Sequence, residues 1–178
     1  MNETLNSLMN RRSVRDFQPA QIPDSDLSLI VDAGLRAASA MNQQPWRLTA
    51  VQSKDVIDGI VRFQRECLGA DPRTADRHNF YHAPTVVFVS AAPDAAFGQN
   101  DCGNVCENMC VAAYSLGLGS CYIASFTHGL GDAQLDELRR VLEAPEGYRP
   151  VFAVALGYAK GPSPAAPELR KGTVNYIQ

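Results

Sequence analysis

The sequence predicts an α+β layered fold on three observations. Two helices precede the first strand, later helices and strands alternate without regular βαβ units, and the glycine fingerprint of a dinucleotide-binding sheet is missing. Gly117-Leu118-Gly119 comes nearest to that fingerprint. It follows a helix where a strand is needed, and it lacks the third glycine, so a helix cap explains it better. At 178 residues the chain is expected to form a single domain, residues 1–178. A chain of this length buries about 70% of its unfolded surface and needs no staples.

Each element has its own signal. Leu5, Leu8 and Met9 lie at helical spacing in a short first helix that should end near Asn10. Pro19 and Pro23 then mark an irregular connection. A second helix starts after Pro23, capped by Asp24 or Ser25, with Leu27, Ile30, Val31, Leu35 and Ala38 on one face. Residues 38–46 have no period and read as a loop, and residues 47–52 alternate like a strand. Val56, Ile57, Ile60, Val61 and Gln64 mark a third helix. The polar stretch from Gly69 to His82 reads as a surface excursion or lid.

Residues 85–89 form a continuous β-rich run, as in a strand covered on both faces. A fourth helix is expected over residues 101–116, a strand over 120–125, and a fifth helix carrying Leu135, Leu138 and Leu142. Residues 151–156 make a last buried strand, and residues 162–178 a proline-rich, then basic, tail. Between Asp101 and Asp132 the only formally charged side chain is Glu107. A helix so poor in charge should be buried, either as the central core helix of a monomer or against a second subunit in a C2 dimer.

Composition is that of an ordinary globular chain, 46% hydrophobic and 20% charged. A net charge of −3 gives no field to gather nucleic acid or an anionic membrane, so any anion site must be local. Five cysteines show no secreted disulfide spacing, no signal-like leader opens the sequence, and no run of 18 apolar residues exists. A cytoplasmic protein with no membrane or nucleic-acid partner is expected.

The chemistry-bearing residues fall in a few clusters. Arg11, Arg12, Ser13 and Arg15 put three guanidinium groups and a hydroxyl within five residues. Guanidinium forks match phosphate oxygens, each charge-assisted bond contributing about 1.5–3 kcal/mol. In an extended segment Arg11, Ser13 and Arg15 share one side and Arg12 the other. The segment is thus either a phosphate clamp or a solvated basic turn. Asn42-Gln43-Gln44-Pro45-Trp46 supplies amides suited to the edge of a heterocycle, or is an ordinary turn with Trp46 anchored in the core.

Cys102, Cys106 and Cys110 share a helical stripe, but no second cluster completes a metal site, and they read as small core residues. His78 and His82 are four apart without the glutamate of a metalloprotease motif, and read as a solvated or lid pair. No nucleophile elbow is present, and Cys67 and Cys121 have no partner in the sequence. No metal site and no catalytic side chain are expected.

Taken together, these segments resemble the nitroreductase family of flavoproteins. Arg11-Arg12-Ser13-Val14-Arg15-Asp16-Phe17 resembles its N-terminal Arg-Arg-Ser-Val-Arg-x-Phe signature. Residues 38–46, Ala-Ser-Ala-Met-Asn-Gln-Gln-Pro-Trp, resemble its Pro-Ser-x-x-Asn-x-Gln-Pro-Trp loop, with Ala38 for the usual proline. Residues 108–123 are similar to its long central helix and following strand, and Gly157-Tyr158 and the basic tail follow in family order.

The resemblance implies a central, mostly antiparallel sheet flanked by helices, in an intertwined homodimer that binds flavin mononucleotide (FMN) at the subunit interface. It implies that Arg11, Ser13 and Arg15 hold the phosphate and ribityl end while Arg12 approaches the pyrimidine side of the ring. Ser39, Ala40 and Asn42 would come from the partner subunit, Ala124 and Ser125 would lie near the isoalloxazine, and Arg170 or Lys171 would close on the phosphate. Ala124 replaces an acidic residue of some members, so their substrate preference does not carry over.

The implied activity is hydride transfer from NAD(P)H through the flavin to a nitroaromatic, quinone or similar small-molecule oxidant, in a ping-pong cycle. The alternatives are other flavin chemistry on the same scaffold, such as enoate reduction, reductive dehalogenation or flavin breakdown, and a non-catalytic flavin-binding module. A metal-binding protein using the cysteine stripe is a weaker third.

Overall fold

Strand β2 (Thr85–Ala91) is buried at all its positions, as an unbroken apolar run requires, and the sheet is built around it. A computed structural model describes residues 1–69 and 78–177. Beside β2 stand β1 (Trp46–Val51) and β4 (Arg149–Gly157), with β3 (Gly119–Ile123) outside β4, giving the order β1-β2-β4-β3. All three pairings are antiparallel, with Leu48 opposite Val89, Val87 opposite Val154 and Cys121 opposite Ala155.

Alternation along the strands gives each face its own core. On one face α3 (Lys54–Leu68) and α5 (Asp132–Val141) pack Ile57, Ile60 and Leu138 against Phe88, Phe126 and Ala155. On the other, α2 (Asp24–Leu35) and α4 (Gly98–Ser115) pack Ile30, Val105 and Met109 against Val87, Val89 and Val154. α1 (Glu3–Asn10) lies against α4. The α+β layered fold is the one the order of elements predicts, and the antiparallel sheet between helices is the one the family resemblance implies. No helix among the described residues is long and apolar enough to cross a membrane.

Helix boundaries differ from expectation where no side chain marks them. α1 starts on Asn2, whose Oδ1 accepts the Leu5 N–H at 2.9 Å, and α3 on Ser53, which accepts the Val56 N–H. α2 was expected to be capped by Asp24 or Ser25. Instead Pro23 takes the cap position without a side-chain bond, and Asp24 and Asp26 sit in the first turn, where the helix dipole favours them. α4 begins at Gly98, three residues early, because Gly98-Gln99-Asn100 carries no apolar period to announce it. Gly117, at φ +75°, ends it as expected. β3 stops at Ile123, which leaves Ala124 and Ser125 in a turn.

α4 is the central core helix on its inner side: Cys102, Val105, Cys106, Met109, Cys110 and Ala113 are all buried within this chain. Its other side, with Gly103, Asn104, Glu107, Asn108, Val111 and Ala112, is exposed or half-buried. The apolar residues of α1 also face outward, with Leu5, Leu8 and Met9 exposed and Ser7 buried. Residues 70–77, the middle of the expected lid, lie outside the described residues. The stretch that follows is no surface excursion, since Phe80 is fully buried, edge-on to Phe88 with centroids 5.4 Å apart.

α2 approaches α4 at Gly34, where an added Cβ would meet Met109 Cγ at 2.7 Å and Val105 Cγ1 at 3.3 Å. Gly34→Val should therefore destabilise the protein by about 1–3 kcal/mol through overpacking. Thermal unfolding should show a fall of at least a few degrees; an unchanged melting temperature would contradict this packing.

Candidate functional site

The N-terminal arginine segment is fixed along the open edge of the sheet. Ser13 makes a parallel bridge to Ser120, and the Val14 N–H donates to the Ser120 carbonyl at 2.8 Å. Val14 lies over Gly119, where a Cβ would come within 2.9 Å of Val14 Cγ2. Phe17, buried, bridges Ala159 and anchors the far end. These contacts fix the backbone from which the arginines project.

The arginines have different surroundings. Arg11 is held by Glu107 of α4 in a two-pronged pair, Nε to Oε1 at 2.6 Å and Nη2 to Oε2 at 2.7 Å. Its Nη1 is left outside that pair. Arg12 donates from Nη1 to the carbonyls of Met9 and Arg11, and its buried Nε has no partner among the described residues. It lines a cavity of about 420 Å³ with Val14, Tyr114, Gly119, Ala159 and Ser163. Arg15 is exposed, with one contact at the 3.5 Å limit to its neighbour Ser13, and both lie beside Cys121. The expected trio of Arg11, Ser13 and Arg15 is therefore not equally free, because Glu107 already holds one edge of Arg11. Three guanidinium groups and a hydroxyl with one ion-paired carboxylate among them still suit a phosphate.

The second expected segment is a strained loop. Met41, Asn42 and Gln44 all have positive φ, at 52°, 55° and 48°, which side-chain-bearing residues rarely adopt. Its own polar groups brace it: Ser39 Oγ accepts the Gln44 N–H at 3.1 Å, and Gln44 Nε2 donates to Asn42 Oδ1 at 3.0 Å. α4 braces it from below, where both Asp101 oxygens accept the Ala40 N–H and Asn104 donates to the Ala38 carbonyl at 3.1 Å. Trp46 is anchored in the core while Met41, Asn42 and Gln43 stay exposed.

Ala124 and Ser125 occupy the turn after β3. That turn is tied down by the next residue, whose carbonyl accepts from Gln64 Nε2, a fully buried amide on α3. Gln64 Oε1 in turn accepts from Asn79 at 3.1 Å. Arg170 and Lys171 stand on an exposed tail, and neither side chain bonds to another described residue. Within one chain, then, β3 places the arginine segment and α4 holds the strained loop, while the tail stands apart.

The family model for the nitroreductase family matches residues 8–158, well over half of the chain. The chain belongs to the nitroreductase family. A nitroreductase of Bacteroides fragilis, crystallised with bound FMN, is 32% identical over the whole of both chains and superposes with a TM-score of 0.91. A second, from Desulfitobacterium hafniense and also with bound FMN, is 31% identical over both whole chains with a TM-score of 0.86. An FMN reductase (NADPH) of Bacillus subtilis is 24% identical, covering 98% of this chain and 73% of its own length.

Other clusters take structural roles in this member of the family. The imidazole of His78, expected to be solvated or part of a lid, is nine-tenths buried. Its Nδ1 accepts the N–H groups of Phe80 and His82 at 3.2 Å each, and its Nε2 faces Asp58 at 3.4 Å. The imidazole therefore organises a turn, a job that spacing alone did not reveal. The three α4 cysteines are core residues, and burial pushes the thiols of Cys102 and Cys110 up to about 12 and about 11, so they stay protonated. Asp101, Asn104 and Gln64 went unnoticed as site-building residues. Gln64 showed a signal, a polar side chain on the apolar stripe of Ile57, Ile60 and Val61, whereas Asp101 and Asn104 lie among other polar residues and showed none.

Burial, seconded by the neighbouring His82, holds the His78 imidazole below its ordinary 6.5. The folded state thus binds this proton less readily than the unfolded chain. The contribution is fully present above about pH 6.5 and is lost as pH falls below it. Asp58, held below the carboxylate range chiefly by Lys54, acts only in a lower window. The melting temperature should drop between pH 7 and pH 5, and drop less in His78→Asn, which keeps an acceptor but does not titrate. Equal slopes in the two proteins would remove His78 as the cause.

Proposed function

We propose that this protein is an FMN-dependent NAD(P)H oxidoreductase that reduces nitroaromatics, quinones or similar acceptors and works as a homodimer. The observation that carries the cofactor reading is the arginine segment at the edge of β3, a concentration of donors with a single paired carboxylate in a chain of net charge −3. FMN bound to the two similar nitroreductases supports the same reading, and NADPH in the name of the Bacillus subtilis relative supports the nicotinamide donor.

Arg15, Ser13 and the free end of Arg11 hold the phosphate and ribityl chain in this reading, and Arg12 lies on the pyrimidine side of the ring. Ser39, Ala40 and Asn42 reach in from the partner subunit, Ala124 and Ser125 line the isoalloxazine, and Arg170 or Lys171 closes on the phosphate. FMN held there would supply the redox chemistry, the passage of a hydride from NAD(P)H to the acceptor. NAD(P)H and acceptor use one opening in turn, which is a ping-pong order. The charge of Arg12 favours the electron-rich state of the ring by simple electrostatics. No metal and no side-chain nucleophile takes part.

The homodimer reading is supported by what one chain leaves uncovered. Leu5, Leu8 and Met9 of α1, the outer side of α4, and Leu169, Val174, Tyr176 and Ile177 of the tail are all open in the single chain. Intertwined tails would cover these surfaces and bring Arg170 and Lys171 to the partner. The chain acts as one domain, residues 1–178, in the cytoplasm.

The test is anaerobic titration of the purified yellow protein with NADH and NADPH, followed by menadione or a nitroaromatic. Bleaching and recovery of the flavin band are expected; flavin that neither nucleotide reduces would overturn the reading in favour of a non-catalytic module. Arg15→Ala should weaken FMN binding by about 10-fold or more, as for loss of one charge-assisted bond. Unchanged affinity would remove Arg15 from the phosphate site.

A further inference from the structure

Asp101 is an unusual residue for its place. It sits in the first turn of α4, its residue is 4% exposed, and among the described residues its hydrogen bonds go to one donor, the Ala40 N–H, at 3.2 Å from each oxygen. Burying a carboxylate is unfavourable unless bonds and dipoles offset it. The helix N-terminus supplies part of that offset, and Ala40 supplies a fixed hydrogen bond. A charge kept at that cost above a well-packed core has a purpose other than packing.

The purpose lies in the loop it grips. Ala40 immediately precedes Met41 and Asn42, two residues with left-handed backbone, and Gln44 adds a third. Side-chain-bearing residues seldom adopt such backbone, and it persists only where its surroundings over-determine it. Asn104, one turn along α4 from Asp101, holds the preceding carbonyl of Ala38. The loop thus stands at a fixed angle, with Met41 and Asn42 presented outward.

We propose that Asp101 is a positioning residue for the flavin site of the other protomer, acting through the Ser39–Asn42 loop. The inference rests on the FMN-and-homodimer reading above. Asp101 acts through its hydrogen bonds to Ala40. It fixes the loop in the conformation in which Ser39, Ala40 and Asn42 reach across the interface, so its loss harms the partner's site and spares the one built on its own arginine segment.

The test compares FMN binding to wild-type, Asp101→Ala and Asp101→Asn apoproteins, with thermal unfolding alongside. Asp101→Ala should weaken FMN binding about tenfold or more. Asp101→Asn, which keeps one acceptor oxygen at the same size, should weaken it less and serves if the alanine variant does not fold. Differently tagged subunits carrying Asp101→Ala (or Asp101→Asn) and Arg15→Ala are then co-expressed and the mixed dimer isolated. Action across the interface puts both defects in one site and leaves the other intact, so the mixed dimer should bind one FMN with wild-type affinity. A purely structural role would weaken folding without restoring a site.

A folded Asp101 variant pair with wild-type FMN affinity would overturn the proposal, as would a mixed dimer with no restored site. Wild-type apoprotein that takes up no FMN would fail at the first step, sinking the flavin reading itself and this inference with it.

Discussion

Helix α4 lies so close to its neighbours that only one stripe of it is left for polar groups, and the candidate site is hung on that stripe. Cysteines, alanine and methionine fill the side against the sheet and α2, and Gly34 lets the α2 backbone come down onto Met109. Four polar residues on that stripe hold three different segments. Asp101 takes Ala40, Asn104 takes Ala38, Asn108 takes the Ala33 carbonyl at the end of α2, and Glu107 takes Arg11. Asp101 and Glu107 are about 9 Å apart along the axis at 1.5 Å per residue. One rigid helix therefore sets the spacing between the strained loop and the start of the arginine segment. Tight packing is what makes that spacing reliable, because a close-packed interior has no room in which to drift.

The electrostatics follow from the same economy. With Glu107 the only formal charge between Asp101 and Asp132, little opposes the guanidinium groups of the N-terminal segment. A weakly acidic protein can then hold a local cationic site without a cationic surface. The buried thiols add no charge, since burial keeps them protonated.

Much of this was legible in the sequence, and the reasons differ by element. β2 and β4 were plain because burial on both faces demands unbroken apolar runs. The arginine segment and the Asn42 loop were plain because their residue types are costly and clustered. The cap of α2 and the start of α4 were not, since neither helix has a capping side chain to mark it. Nor could spacing show that Glu107, 96 residues away, takes one edge of Arg11, or that His78 folds its own turn. Long-range pairings leave no local trace. A helix-spaced pair of histidines looks the same whether its rings face water or the core.

The order of the strands also bears on how the molecule comes into being. Among the described residues β3 pairs with one strand, β4, and the arginine segment bridges to β3 at Ser120. The segment at residues 11–15 thus depends on partners 96 residues away and more, Glu107 of α4 and Ser120 of β3. Non-local pairing of this kind is slow, because the loop must close before any contact rewards it. Setting of the arginine segment therefore waits on the pairing of the sheet rather than on its own local sequence.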